Sequence, residues 1–220
     1  MRVVDIEIAQ TEVLGEGGFC RLRRCQARNV LSDGDRSATY ALDVVERPAG
    51  VDAVAVLPYD PGPPVRVALR RGMRPALRLG RPDGRTREGR QVELTHVELV
   101  AGILERGDEG EDGLARRAVA ELREEIGLSV APGAIEALGR PVVLYPGLIA
   151  ERLYVCRVAA SLDHMEQPDG DGSPLEQGGA AVVLELDRAL EQCQHGPLED
   201  ARTELALRRL AEALAREGAR

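Results

Sequence analysis

Within residues 118–128 (AVAELREEIGL) three carboxylates, Glu121, Glu124 and Glu125, fall on little more than one helical turn, which Gly127 then closes. Side chains three and four residues apart share one side of a helix, so these charges repel one another and call for a counter-ion. Carboxylate oxygen is the ligand that hard cations such as Mg²⁺ take up. The segment reads as half of a divalent-cation site. A Glu-Glu pair by itself is more often a solvated helix face, so the stretch before it decides between the two.

That stretch, together with the helix, is VELVAGILERGDEGEDGLARRAVAELREEIGL, residues 97–128. It resembles the Nudix box, whose pattern is G-x5-E-x7-R-E-U-x-E-E-x-G-U with U apolar. Glu121, Leu122, Glu124, Glu125, Gly127 and Leu128 match its second half, and Gly102 and Asp108 stand at the spacing of its first half. Asp108 replaces the family's Glu, Ala120 replaces its Arg, and four extra residues separate Gly102 from Glu121. In the family that Glu and Arg hold the loop against the helix. Their joint replacement implies one support rebuilt, with Arg117, a turn before Glu121, as the substitute. The extra residues fall in 108–113 (DEGEDG), a composition that favours loop over helix.

Composition fits an enzyme with a small-molecule substrate. The 220 residues, 44% apolar and 30% charged, suffice for one good core and a small second unit. A net charge of −8, with four Tyr, one Phe and no Trp, argues against nucleic acid, which asks for a basic face and stacking platforms. Every basic side chain other than histidine is Arg, which reflects base bias in the gene and also suits bidentate phosphate recognition. Cys20, Cys25, Cys156 and Cys193 lack metal-type spacing and read as free buried thiols. The start, MRVVDIEIAQTEV, has no signal-peptide core, and no apolar run approaches the ~18 residues a membrane span needs. A cytoplasmic protein without a membrane partner is expected.

Partial alternation in 3–13, 19–30 and 39–46, divided by GEGG and SDGD, predicts a three-stranded antiparallel sheet. Such a sheet is too small to stand alone and must pack on the remainder or on a second copy of the chain. Residues 1–50 therefore form one domain and 51–220 another. In the second, DAVAVLPY and VRVALRR are strands, and the Arg-rich stretch 77–91 is either a phosphate-attracting loop or a solvated insertion. VELV (97–100) leads into the box helix, where Leu114, Ala118, Leu122 and Ile126 face the core and Arg117, Glu121 and Glu125 form the neighbouring stripe. Strands 141–145, 152–158 and 180–186 and a closing helix over 198–216 complete an α+β fold.

The resemblance extends beyond the box. YALDVVERPAGVDAVAVLPYD, RVALRRGMRPA, LYPGLIAERLYV and GPLEDARTELALRRL are similar, in order, to segments of the ADP-ribose pyrophosphatase branch of the Nudix hydrolases. It implies an α/β/α sandwich with a small N-terminal antiparallel sheet exchanged in a homodimer. It also implies Mg²⁺, or Mn²⁺, held by Glu121, Glu125 and the backbone carbonyl of Ala101. Gly102 then permits the turn that points that carbonyl inward. Glu124 lies close enough to hold a further metal or a metal-bound water. A Glu before the last strand often serves as base in the family; here Gly178 falls at that place and Glu176 is the nearest substitute. Asp169 and Asp171 are also within a loop's reach, and Glu124 is the fallback.

For substrate contacts the resemblance implies Arg74 on the phosphates, Pro146 and Glu151 in the loop beyond the box, and Phe19 stacking on the base. An exposed Arg or a Glu-Arg pair is also ordinary surface chemistry, and a lone Phe is as readily a core residue. The family's base-stacking Arg in the third N-terminal strand appears as Leu42, which opens the choice of base. His96, His164 and His195 are scattered and read as surface or capping residues. The function implied is Mg²⁺-dependent hydrolysis of ADP-ribose or another nucleoside diphosphate sugar to a nucleoside monophosphate and a sugar phosphate. A Nudix-fold module that binds nucleotide sugars without turnover is the alternative.

Overall fold

The computed structural model describes residues 1–170, 172–176 and 178–219, with the side chain of Glu176 outside that set. In chain order the strands are β1 (Val3–Gly17), β2 (Cys20–Leu31), β3 (Tyr40–Glu46), β4 (Ala53–Asp60), β5 (Arg66–Met73) and β6 (Thr95–Glu98). Then come β7 (Val100–Ile103), β8 (Glu136–Ala137), β9 (Val142–Val143), β10 (Arg152–Ala159) and β11 (Ala180–Glu185). The helices are α1 (Pro75–Leu79), α2 (Gly110–Ile126), α3 (Leu186–His195) and α4 (Ala201–Gly218). The chain is α+β and divides into two compact units, each described by itself.

The first unit comprises Met1–Ala53, Ile103–Arg106 and Val142–Leu153. Its three-stranded antiparallel sheet runs β1-β2-β3, as alternation in the first 50 residues predicts. Three register shifts along β1 mark bulges, which bend a long ribbon and strengthen its twist. Cross-strand charge pairing sets in on the face where Arg24 grips Asp43 through two bonds of 2.7 Å. Cys25 and Ala27 are buried, whereas Val3, Ile6, Ile8 and Val13 of β1 stay about half exposed. Gly50 has no Cβ because one would lie 2.0 Å from the Leu104 carbonyl oxygen. Asp52 then ties this unit's segments, its carbonyl accepting the Leu104 N–H and its carboxylate the Arg152 N–H.

The second unit holds Val54–Gly102, Gly107–Pro141 and Tyr154–Arg220. The large sheet is ordered β11-β5-β4-β10-β8, with β6 on β5 and β7 on β4. Val54, Ala55, Val56 and Leu57 are fully buried, the continuous apolar run of a strand covered on both faces. Helix α2 packs against β5 and β11, and α3 against β5, β11 and α4. The spacing of Ala118, Leu122 and Ile126 gives α2 its buried stripe, while Leu114 is only partly covered. Gly127, at φ 67°, turns the chain left-handed, and the Gly127 and Leu128 N–H groups close the last carbonyls of α2. Asp200 caps α4 by accepting the Thr203 N–H at 3.0 Å.

Several elements differ from expectation. Helix α2 starts at Gly110, so four of the six residues of the DEGEDG stretch are helical. Glu111 and Asp112 favour the positive end of the helix dipole. Gly113 allows a backbone approach in which a Cβ would come within 2.2 Å of the Asp108 carbonyl carbon. Helix α3 was not anticipated. The VELV strand breaks at Leu99, whose N–H leaves the sheet for Thr203 Oγ1 at 2.9 Å. The strand expected over 141–145 contracts to Val142–Val143. Cys20 is exposed at the start of β2, unlike the buried Cys25 and Cys156 and the half-buried Cys193, and all four are free. Among the described residues no helix is long and apolar enough to cross a membrane.

Candidate active site

Helix α2 carries its carboxylates to the sheet because its apolar stripe fixes the helix's rotation. The side chains of Glu121 and Glu125 are 13% and 4% exposed. Glu121 lies over Gly102, so closely that a Cβ there would fall 1.8 Å from its Oε1. Glu125 Oε2 accepts the Ala101 N–H at 3.1 Å, and its Oε1 is ion-paired with Arg70 of β5. Burial pushes the Glu125 carboxyl up to about 8, with the neighbouring Glu121 and Glu98 charges adding to the rise. The Arg70 guanidinium and the Ala101 N–H oppose that shift without cancelling it.

Arg117 and Asp108 form the support expected in place of the family's Arg and Glu, with Nε to Oδ2 at 2.9 Å. Arg117 Nη1 also stands 3.9 Å from Glu121 Oε1, so one guanidinium steadies both the lead-in loop and a site carboxylate. Glu124 and Glu125 open on a cavity of about 280 Å³, whose wall includes Arg70, Asp169, Ser173 and Gly178. The Glu124 carbonyl accepts the Gly170 N–H at 3.0 Å, and Asp169 pairs with Arg123 at 2.7 Å, so the loop is fastened to the helix. Glu176 ends a 3-10 turn, Pro174–Glu176, packed beside β5. Its side chain, and Asp171 altogether, lie outside the described residues.

Arg74 is the residue before α1 and ion-pairs Glu98, which is 1% exposed. Glu98 also receives Arg202, and Arg202 in turn holds the capping Asp200 at 2.9 Å. The Glu98 Oε1 contact with Arg74 is an ion pair without an aligned hydrogen bond. Among the described residues His96, Glu98 and Asp200 are the acidic and histidine ligand atoms drawn within 4.8 Å of one another. Guanidinium groups already supply the positive charge at Glu98 and Asp200, so these residues form a structural cluster. Glu121, Glu124 and Glu125 do not converge to that degree. Their donor set is nonetheless one that suits a hard cation: carboxylate oxygens only, with Glu125 buried, Glu121 and Glu124 partly covered, and Glu124 and Glu125 beside a cavity.

In the first unit Phe19 is 62% exposed, not a core residue, and the Arg47 guanidinium stands 5.9 Å from its ring centroid. Arg47 is also ion-paired with Glu151, so Phe19 and Glu151 come together through a residue that the sequence did not single out. Pro146 is exposed in the segment before Glu151, beside Tyr145 at 68% exposure. Arg70 and Glu98 were missed as well. Their signal was a charge inside an apolar strand pattern, VALR and VELV, where burial makes a charge expensive.

No protein-family model matches the sequence, and no curated protein does. Among solved structures, an ADP compounds hydrolase is alike over 99% of this chain and 98% of its own, with a TM-score of 0.68 at 16% identity. The chain has the Nudix fold. A Nudix hydrolase from Alicyclobacillus acidocaldarius shares 14% identity over 72% of this chain and 90% of its own, with a TM-score of 0.48. In this fold α2 follows β7, the strand that holds Gly102, and the Asp108–Arg117 ion pair joins the lead-in loop to that helix.

Proposed function

We propose that the protein is a Mg²⁺-dependent Nudix hydrolase that cleaves the pyrophosphate bond of ADP-ribose or a related nucleoside diphosphate sugar. The products are a nucleoside monophosphate and a sugar phosphate. The observation that carries this is the seating of Glu121 and Glu125 against the Ala101–Gly102 backbone, with the buried Glu125 at the edge of a cavity. The structural likeness to an ADP compounds hydrolase supports a substrate containing ADP.

Glu121, Glu125 and the Ala101 carbonyl would hold the cation, Mg²⁺ or Mn²⁺. When bound, it neutralises phosphoryl oxygens and makes a water more acidic. Glu124, in the cavity wall, would accept the proton of the attacking water, with Glu176 as the other candidate base. Arg74, held by Glu98, would take a phosphate oxygen by charge-assisted hydrogen bonding. Phe19 would stack on the base, with Arg47 and Glu151 beside it and Pro146 shaping the loop. Leu42, where the family has a stacking Arg, leaves the base less strictly chosen.

Residues 1–50 serve, in this proposal, as the dimerisation and base-binding sheet, and 51–220 as the hydrolase domain. The half-exposed Val3, Ile6, Ile8 and Val13 of β1 support a homodimer in which that strand is covered by a second copy. Four free thiols fit the reducing cytoplasm.

The test is a panel of ADP-ribose, UDP-glucose, GDP-mannose and diadenosine polyphosphates with Mg²⁺, run beside Glu125→Gln. Turnover that disappears in the variant supports the hydrolase. A second reading, a nucleotide-sugar-binding module, is favoured by Gly178, which presents no side chain where the family's base falls. Binding of a panel member without turnover would establish that module instead.

A further inference from the structure

Arg70 is a charged residue where strand β5 has every reason to be apolar. Val67, Ala68 and Leu69 before it are fully buried, and Arg70 itself is 6% exposed. Its cross-strand neighbours are Ala181 on β11 and Glu98 on β6. The space for its guanidinium is built by the absence of a side chain two residues on. A Cβ at Gly72 would lie 2.7 Å from Nη2 and 2.9 Å from Cζ and Nε. Gly102 does the same for the Glu121 carboxylate. Both the acidic and the basic partners of this site are thus seated in glycine cradles, which generic packing does not require.

The guanidinium ion-pairs with Glu125 Oε1, with both side chains at least nine-tenths buried. A buried ion pair is a poor source of stability, because desolvation of both charges offsets their attraction. Here the pair also borders the cavity that Glu124 enters. Arginine keeps its charge at any pH the protein meets, so this cation cannot leave by losing a proton. The oxygen it engages is one that a divalent ion on Glu125 needs.

We propose that Arg70 is the resident counter-cation of Glu125, so that a divalent ion binds by displacing its guanidinium, and the affinity for metal is set by that exchange. The inference rests on Glu121 and Glu125 being the metal ligands. Arg70 acts as a positioning residue that tunes the site through Glu125.

The probe is Mn²⁺ alone, its free concentration followed by electron paramagnetic resonance against the full-length wild type, Arg70→Met, Gly72→Ala and Glu125→Gln. Removing the competing charge in Arg70→Met, which keeps an unbranched apolar stem, tightens Mn²⁺ binding by about tenfold or more. Gly72→Ala crowds the guanidinium off its seat and shifts affinity in the same direction, which keeps the test valid should Arg70→Met fold poorly. In EDTA, Arg70→Met melts below the wild type, and Mn²⁺ raises its Tm by more than it raises that of the wild type. Glu125-dependent Mn²⁺ binding in the wild type, with Arg70→Met and Gly72→Ala no tighter, overturns the role of Arg70 and leaves the metal site standing. No Mn²⁺ uptake by any of the proteins overturns both.

Discussion

Glu98 and Glu125 are two buried carboxylates of the same unit, and they are satisfied in different ways. Glu98 is enclosed by Arg74 and Arg202, and Arg202 is anchored in turn by Asp200 at the head of α4. Glu125 has the Arg70 guanidinium and the Ala101 N–H, and then faces a cavity. Burial raises Glu125 to about 8 in spite of its arginine. A charge closed in by guanidinium groups joins elements of the fold, whereas a charge left with an open side can exchange its partner. Incomplete enclosure beside a cavity, more than burial itself, is what singles out Glu125 for the proposed chemistry.

Exchanging each carboxylate for its amide should separate the two roles. Glu125→Gln, at the proposed metal ligand, is expected to cost several kcal/mol of transition-state stabilisation, a fall in kcat/KM on the order of 10³-fold or more. Steady-state hydrolysis with Mg²⁺ measures it, and retention of more than a tenth of the activity would break the contrast. Glu98→Gln leaves Arg74 and Arg202 facing a neutral group, for a loss of about 3 kcal/mol in urea unfolding. Its KM also rises if Arg74 serves the phosphates. A Glu98→Gln protein as stable as the wild type would show that the enclosure contributes nothing.

The pH dependence of the metal-free protein sharpens the contrast further. The Glu125 carboxyl is raised from 4.5 to about 8, so folding favours its protonated form. That contribution is complete below 4.5 and is lost as pH rises through about 8. Unfolding in EDTA should therefore show stability declining across this window in the wild type, and a flatter profile in Glu125→Gln. The smallest effect is expected at the partly exposed brace, where Arg117→Ala costs about 1 kcal/mol of stability and raises hydrogen exchange in residues 104–109.

Legibility in the sequence followed locality. The carboxylates of α2 were readable because helical spacing alone places Glu121 and Glu125 on one stripe, and the Arg117–Asp108 brace followed from two substitutions in one motif. The first three strands were readable from alternation and turn residues, although β1 ran on through the glycines at 15 and 17 because β2 pairs with it there. What stayed hidden depended on distant partners. Glu98 and Arg202 are 104 residues apart, and Arg70 meets Glu125 across 55. Arg47 gained meaning only when Phe19 and Glu151 converged on it. Helix α3 did carry a readable stripe, with Leu186 and Ala189 buried three residues apart, but it follows β11 without a break that would separate the two. The helical start at Gly110 was hidden because a glycine-rich acidic run has weak helix propensity, which close packing at Gly113 overrides.

The left-handed turn at Gly127 reaches further than the end of its helix. Its carbonyl accepts the Glu166 N–H at 2.9 Å, and a Cβ on it would lie 2.0 Å from the Glu166 carbonyl oxygen. Four residues later the Gly170 N–H returns to Glu124. The chain between these two stitches, including Gln167 and Pro168 of the cavity wall, is a short bridge pinned at both ends to the carboxylate helix. Helix and wall are consequently one connected piece of backbone. A change of length between 166 and 170 would therefore strain two attachments at once, one at each end of the last turn of that helix.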